Sequence, residues 1–150
     1  MTPGNGPITI LLADDDEDDR LNTQHAFDKN HLADQLRFAV DGEDLMNYLR
    51  RRGPYQNAPR PGLILLDLNM PRKDGREALK EIKADPELKN IPVVVLSTSG
   101  EEEDILRTYN LGANSFIRKP VEFEALVSIV GMIGRYWFQV VELPPSKGKS

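Results

Sequence analysis

The sequence predicts an α/β fold: a (βα)5 doubly wound, parallel five-stranded sheet between two layers of helices. Two observations carry this expectation. Short β-type runs at residues 8–13, 36–40, 63–66, 93–96 and 115–117 alternate with segments of helical spacing. The runs ILLA, LILL and VVVL are continuously apolar, as a parallel strand covered on both faces requires. Right-handed crossovers between parallel strands then put helices on both faces of the sheet. A chain of 150 residues holds one such core and not two.

In chain order, residues 1–6 read as a loose tail, 7–143 as the domain and 144–150 as a second tail, because both ends are rich in Gly, Pro and Ser. The first helix is expected after Asp19, on an approximate stripe of Leu21, Ala26 and Phe27. Leu45, Met46 and Leu49 mark the second, and Ala78, Leu79 and Ile82 the third, which Asp85-Pro86 ends. Ser99 and Glu102 form a capping box ahead of Ile105, Leu106 and Tyr109, with Leu111-Gly112 as the stop. Phe123, Leu126, Val127, Val130, Ile133 and Trp137 recur at helical spacing in the last helix. The 13 residues from Arg50 to Gly62 contain three prolines and exceed the usual connection in such a fold.

Composition narrows the function classes. No apolar run approaches the roughly 18 residues of a membrane span. With no cysteine there is no disulfide, thiolate catalysis or zinc-thiolate site, and with no leader-like start a cytoplasmic location is expected. A formal charge of −5 argues against nucleic acid as a partner.

The chemistry gathers at the strand ends. The first strand runs into six acids, Asp14 to Asp19, and the third ends in Asp67. An acidic run alone also suits a solvated helix start. In the strand order 2-1-3-4-5, that of flavodoxin, the crevice opens between strands 1 and 3, where Asp14, Asp15 and Asp67 converge. Three adjacent carboxylates stay ionised only beside a cation, and a hard, oxygen-liganded ion such as Mg2+ fits. An EF-hand reading fails, since Asp19 and His25 stand where that loop needs Gly and Glu. The fourth strand ends in Ser97-Thr98-Ser99, and Lys119-Pro120 follows the fifth.

ILLADDD, LILLDLNMPRKDG, VVVLSTS and FIRKP together resemble the flavodoxin-like receiver domains of two-component response regulators over about residues 7 to 142. The resemblance implies that Asp67 is the phosphoacceptor and that Asp14 and Asp15 bind Mg2+ with Asp67 and the Asn69 backbone carbonyl. It implies Ser97 as the switch hydroxyl, 22 positions before Lys119, and Phe116 as the switch aromatic. The side chains of Asn69 and Ser99 would tune dephosphorylation, and the domain would catalyse its own phosphorylation and dephosphorylation. The family often has Thr at the first switch position. The loop GPYQNAPRPG and the ending GRYWFQVVELP are similar to the small stand-alone regulators paired with cyanobacterial phytochromes, implying a phytochrome-type histidine kinase as partner.

Two other classes compete. A haloacid-dehalogenase-type phosphohydrolase needs a second acid two residues after its nucleophile, where Asn69 stands. A phosphate-independent interaction domain would not need all the site residues that are present. Ile129, Met132, Tyr136, Phe138, Val140 and Val141 are left over beside the core stripe. Either the tail folds back over them, or they serve a homodimer through helix 4, strand 5 and helix 5, the expectation preferred on the sequence.

Overall fold

The computed structural model describes residues 8–98 and 102–137. Five parallel strands run β1 (Ile10–Ala13), β2 (Leu36–Ala39), β3 (Leu63–Leu66), β4 (Val93–Ser97) and β5 (Ser115–Arg118), in the order β2-β1-β3-β4-β5. Five helices alternate with them: α1 (Glu17–Lys29), α2 (Gly42–Leu49), α3 (Gly75–Ala84), α4 (Glu102–Asn110) and α5 (Phe123–Arg135). The expected fold class and strand order are both present.

Alternation of side chains along each strand divides the core in two. Leu11, Ile64, Leu66, Val93 and Val95 pack with Leu45, Leu49, Leu79 and Ile82 of α2 and α3. Ile10, Leu12, Leu63, Leu65 and Val94 pack with Phe27 of α1 and with Leu126, Val130 and Ile133 of α5. β1, β3 and β4 are buried throughout, whereas the edge strand β5 is only half-buried. The continuous apolar runs are therefore the central strands and the mixed sequences are the edges.

Several local expectations shift. α1 starts at Glu17, not after Asp19, because Asp16 caps it, its carboxylate accepting from the N–H groups of Asp18 and Asp19 at 2.9 and 3.1 Å. Leu21, placed on the core stripe of α1, is 50% exposed. The Ser99 cap predicted for α4 lies outside the described residues, as do both tails and Phe138, Val140 and Val141. A capping box does close α3: Asp74 accepts from the Arg76 N–H at 2.6 Å, and Glu77 accepts from the Asp74 N–H at 3.2 Å. On α5, Met132 and Tyr136 are half exposed, but Ile129 packs partly against the α1 side of the core rather than standing clear of it.

Leu65 is fully buried in the central strand, so Leu65→Ala should cost about 2 to 5 kcal/mol through lost burial and a residual cavity. Leu21→Ala, on the exposed face of α1, should change stability by less than about 0.5 kcal/mol. Urea unfolding of both variants checks the contrast.

Candidate functional site at the carboxyl end of the sheet

Backbone pairing continues one residue beyond the strands and fixes the site. The Asp14 N–H donates to the Ala39 carbonyl at 3.1 Å, that of Asp67 to Ala13 at 3.0 Å, and that of Lys119 to Ser97 at 2.8 Å. Asp14, Asp67 and Lys119 therefore inherit the sheet's register and emerge side by side, beside Ser97 at the end of β4. Asp14 is 1% exposed, Asp67 9% and Ser97 fully buried, while Asp15 faces solvent. One carboxylate oxygen from each of Asp14, Asp15 and Asp67 lies within 4.8 Å of the other two. Such a compact set of hard oxygen donors suits a divalent cation.

Lys119 is the countercharge. Its Nζ donates to Asp14 Oδ2 at 2.9 Å and to Asp19 Oδ2 at 3.2 Å. The Asp16 N–H donates to Asp14 Oδ1 at 3.0 Å, and the Arg20 guanidinium donates to the Asp14 carbonyl at 2.9 Å. Asp19 was not among the expected site residues. Once Asp16 caps α1, Asp19 lies in the first turn facing Lys119, a placement that depends on where the helix starts.

Burial dominates the electrostatics. It pushes the Asp67 carboxyl up to about 6; Lys119 opposes this, Asp14 adds repulsion, and a backbone hydrogen bond at Asn69 partly offsets it. Burial likewise raises Asp14 against the pull of Lys119. For Lys119 burial acts downward, yet the fields of Asp14 and Asp67 outweigh it and hold the ammonium above its ordinary value.

Gly75, at the start of α3, closes the back of the site. A Cβ there would meet the Asp67 carbonyl oxygen and come within 2.7 Å of Leu68 Cα, so only glycine fits against the end of β3. Thr98 is exposed and turns instead to a cleft of about 290 Å3 beside Lys119, between α1 and the β5–α5 connection, lined also by Asp19, Asn22, Val121 and Phe123. Phe116 on β5 packs partly against the α2–α3 side of the core, and its N–H donates to the Tyr109 hydroxyl at 3.1 Å. Asn69 is exposed, and Ser99 lies outside the described residues.

Because the folded-state value of Asp67 lies above its unfolded one, ionisation opposes folding. The penalty is absent below about pH 4 and develops as pH rises through about 6. In chelator-treated protein, Asp67→Asn should therefore raise stability at pH 8 by up to about 3 kcal/mol, and by much less at pH 4.5. Thermal unfolding across that range checks it.

Comparison with known proteins agrees with this geometry. The response regulator receiver domain family matches residues 10–131. Response regulator Rcp1 of Synechocystis sp. is 43% identical over 140 residues, 93% of this chain and 95% of its own length. Among solved structures, the phosphorylated cyanobacterial phytochrome response regulator RcpA superposes with a TM-score of 0.87 at 45% identity, covering 93% of this chain and all of that one. The Mn2+-bound form of Rcp1 gives 0.84 at 42% identity over the same shares. The likeness to phytochrome regulators read from the loop GPYQNAPRPG, residues 53–62, and the chain's ending is thus borne out, and the protein is a member of the response regulator receiver domain family.

Proposed function

We propose that Asp67 accepts a phosphoryl group from the phosphohistidine of a histidine kinase, and that the resulting aspartyl phosphate changes the protein's contacts with partners. The observation that carries this is the cluster of Asp14, Asp15 and Asp67 beside the Lys119 ammonium, at the one end of the sheet where β1, β3, β4 and β5 present their chemistry together. The kinship to Rcp1 and RcpA supports a phytochrome-type kinase as donor.

Asp67 Oδ attacks phosphorus, forming an O–P bond as the P–N bond to imidazole breaks and the imidazole nitrogen takes the electron pair. The reaction needs the ionised carboxylate, and with its carboxyl near 6 Asp67 is mostly ionised at neutral pH. Asp14, Asp15, Asp67 and the Asn69 carbonyl would hold Mg2+, which supplies charge neutralisation to the phosphoryl oxygens. A Mn2+-bound form of Rcp1 supports a divalent ion in such a site. Lys119, tied to Asp14 at 2.9 Å, reaches back past β4 and keeps its ammonium within reach of a phosphoryl group at the end of β3.

Ser97, at the end of β4, supplies the hydroxyl that closes on the phosphoryl group, and Phe116 on the adjoining strand responds to the space it leaves. Asn69 and Ser99 tune the approach of water in hydrolysis. Exposed Leu106 and Tyr109 on α4 with Met132 and Tyr136 on α5 support a homodimer through α4, β5 and α5.

Two measurements test the reading. With acetyl phosphate and Mg2+, the wild-type chain should gain one base-labile phosphoryl group by intact mass, and Asp67→Asn none; uptake by the variant would move the acceptor to another residue. Calorimetry should show Mg2+ binding at least about tenfold weaker in Asp15→Ala, through loss of a carboxylate ligand and its charge. Equal affinities would return the acidic run to a solvated helix start.

A further inference from the structure

The phosphoryl chemistry leaves the opposite end of the sheet unused. The connection that runs along α2 and back to that end, into β3, is a built element. The Tyr48 hydroxyl donates to the Pro59 carbonyl at 2.9 Å and the Tyr55 hydroxyl to Asp44 Oδ1 at 2.7 Å, with the two rings 5.0 Å apart. A turn of 3-10 helix, Gly53–Tyr55, lies within it.

α2, like α1 at His31 (φ 60°), ends on a left-handed residue that is not glycine. The Arg52 N–H donates to the Asn47 carbonyl at 2.9 Å and the Arg51 N–H to the Tyr48 carbonyl at 3.1 Å, the paired bonds of a Schellman motif. The residue between helix and exit is left-handed in that motif, and glycine is its usual occupant. Here it is Arg51, with φ 56°, although a glycine stands two residues later at Gly53. What sets Arg51 apart from His31 is that its side chain lines a cleft.

Arg51 lines a cleft of about 380 Å3 at the amino ends of β3 and β4, together with Arg50, Arg60, Glu87, Leu88 and Ile91. Arg50 is already neutralised by Glu81 at 2.9 Å and Asp85 at 3.2 Å. Arg60 gives one N–H to the Glu87 carbonyl at 2.8 Å. Arg51 makes no ion pair among the described residues, and Glu87 is the one acid on the wall. On a chain of net charge −5, this cleft therefore carries local positive charge above a floor of Leu88 and Ile91.

We propose that this cleft docks an acidic peptide segment of a partner protein. Its carboxylates meet the guanidinium groups of Arg51 and Arg60, whose planar forks match a carboxylate, while an adjacent apolar side chain rests on Leu88 and Ile91. A partner held here leaves the phosphoacceptor end open, because Asp67 and the cleft lie at opposite ends of β3. The anchored loop preforms the cleft, so little ordering is lost on binding.

Fluorescence anisotropy of a labelled hexapeptide of alternating leucine and glutamate, titrated with the full chain at low salt, tests the assignment. Saturable binding is expected, weakened at least about tenfold by Arg51→Gly or by Arg60→Ala, and lost when glutamine replaces glutamate. Glycine suits the backbone at position 51, so the melting temperature of Arg51→Gly should not fall, and its phosphoryl uptake at Asp67 should equal wild type. Absence of saturable binding to the wild-type chain, equal binding by wild type and Arg51→Gly, or equal binding of the glutamine peptide would overturn the proposal. Inorganic phosphate that displaces the peptide at constant ionic strength as effectively as unlabelled peptide does would reassign the cleft to small anions.

Discussion

Mutual repulsion among Asp14, Asp15 and Asp67 is the constraint around which the carboxyl end of the sheet is organised. Two of these carboxylates are buried, where water can no longer screen them, and both have raised affinities for protons as a result. Lys119 offsets only part of this, since it answers to Asp14, Asp19 and Asp67 together. The site is thus short of positive charge by construction. A divalent ion meets a site already disposed toward it, whereas an anionic group meets one that a cation must first neutralise.

Holding like charges together requires a rigid frame, and the frame is the buried centre of the sheet. β1 and β3 are paired along their full length, Ile10 to Ala13 against Leu63 to Leu66, with helices over both faces. Repulsion between Asp14 and Asp67 would have to separate two strands that share a continuous ladder and a two-sided core. The same frame is weaker toward β5, the edge strand that bears Phe116 and leads into Lys119. Asp67 therefore ends a strand buried on both faces, whereas Phe116 lies on one that is only half-buried.

The architecture was legible because parallel strands buried on both faces leave uninterrupted apolar runs, and a run that stops at an aspartate also marks the crevice. Asp14 and Asp67 could be located on that basis and Lys119 just beyond the fifth strand, whereas Ser97 was singled out from Ser97-Thr98-Ser99 by the family resemblance; the structure sets all four on neighbouring strands. What sequence periodicity missed depended on helix phase. Starting α1 at Glu17 turned Asp19 toward Lys119 and Leu21 toward solvent, and no local pattern distinguishes a cap at Asp16 from one three residues later in a run of six acids. Ile129 escaped for a related reason: α5 packs closely on α1 and the turn that follows it, where a Cβ at Gly131 or Gly134 would press on Asn30 or Leu32, so a wider arc of the helix is covered than its apolar stripe suggests. The left-handed Arg51 was equally invisible, since its significance lies in a backbone angle.

The glycine behind the acceptor carries a mechanical consequence. With the first turn of α3 pressed against the Asp67 carbonyl, the end of β3 has no room to recoil. Under the proposed phosphoryl transfer, a group added to the carboxylate would push against an anvil, and the displacement would fall on the facing side, at the ends of β4 and β5. The smallest residue in the site thereby sets the direction in which the molecule can yield.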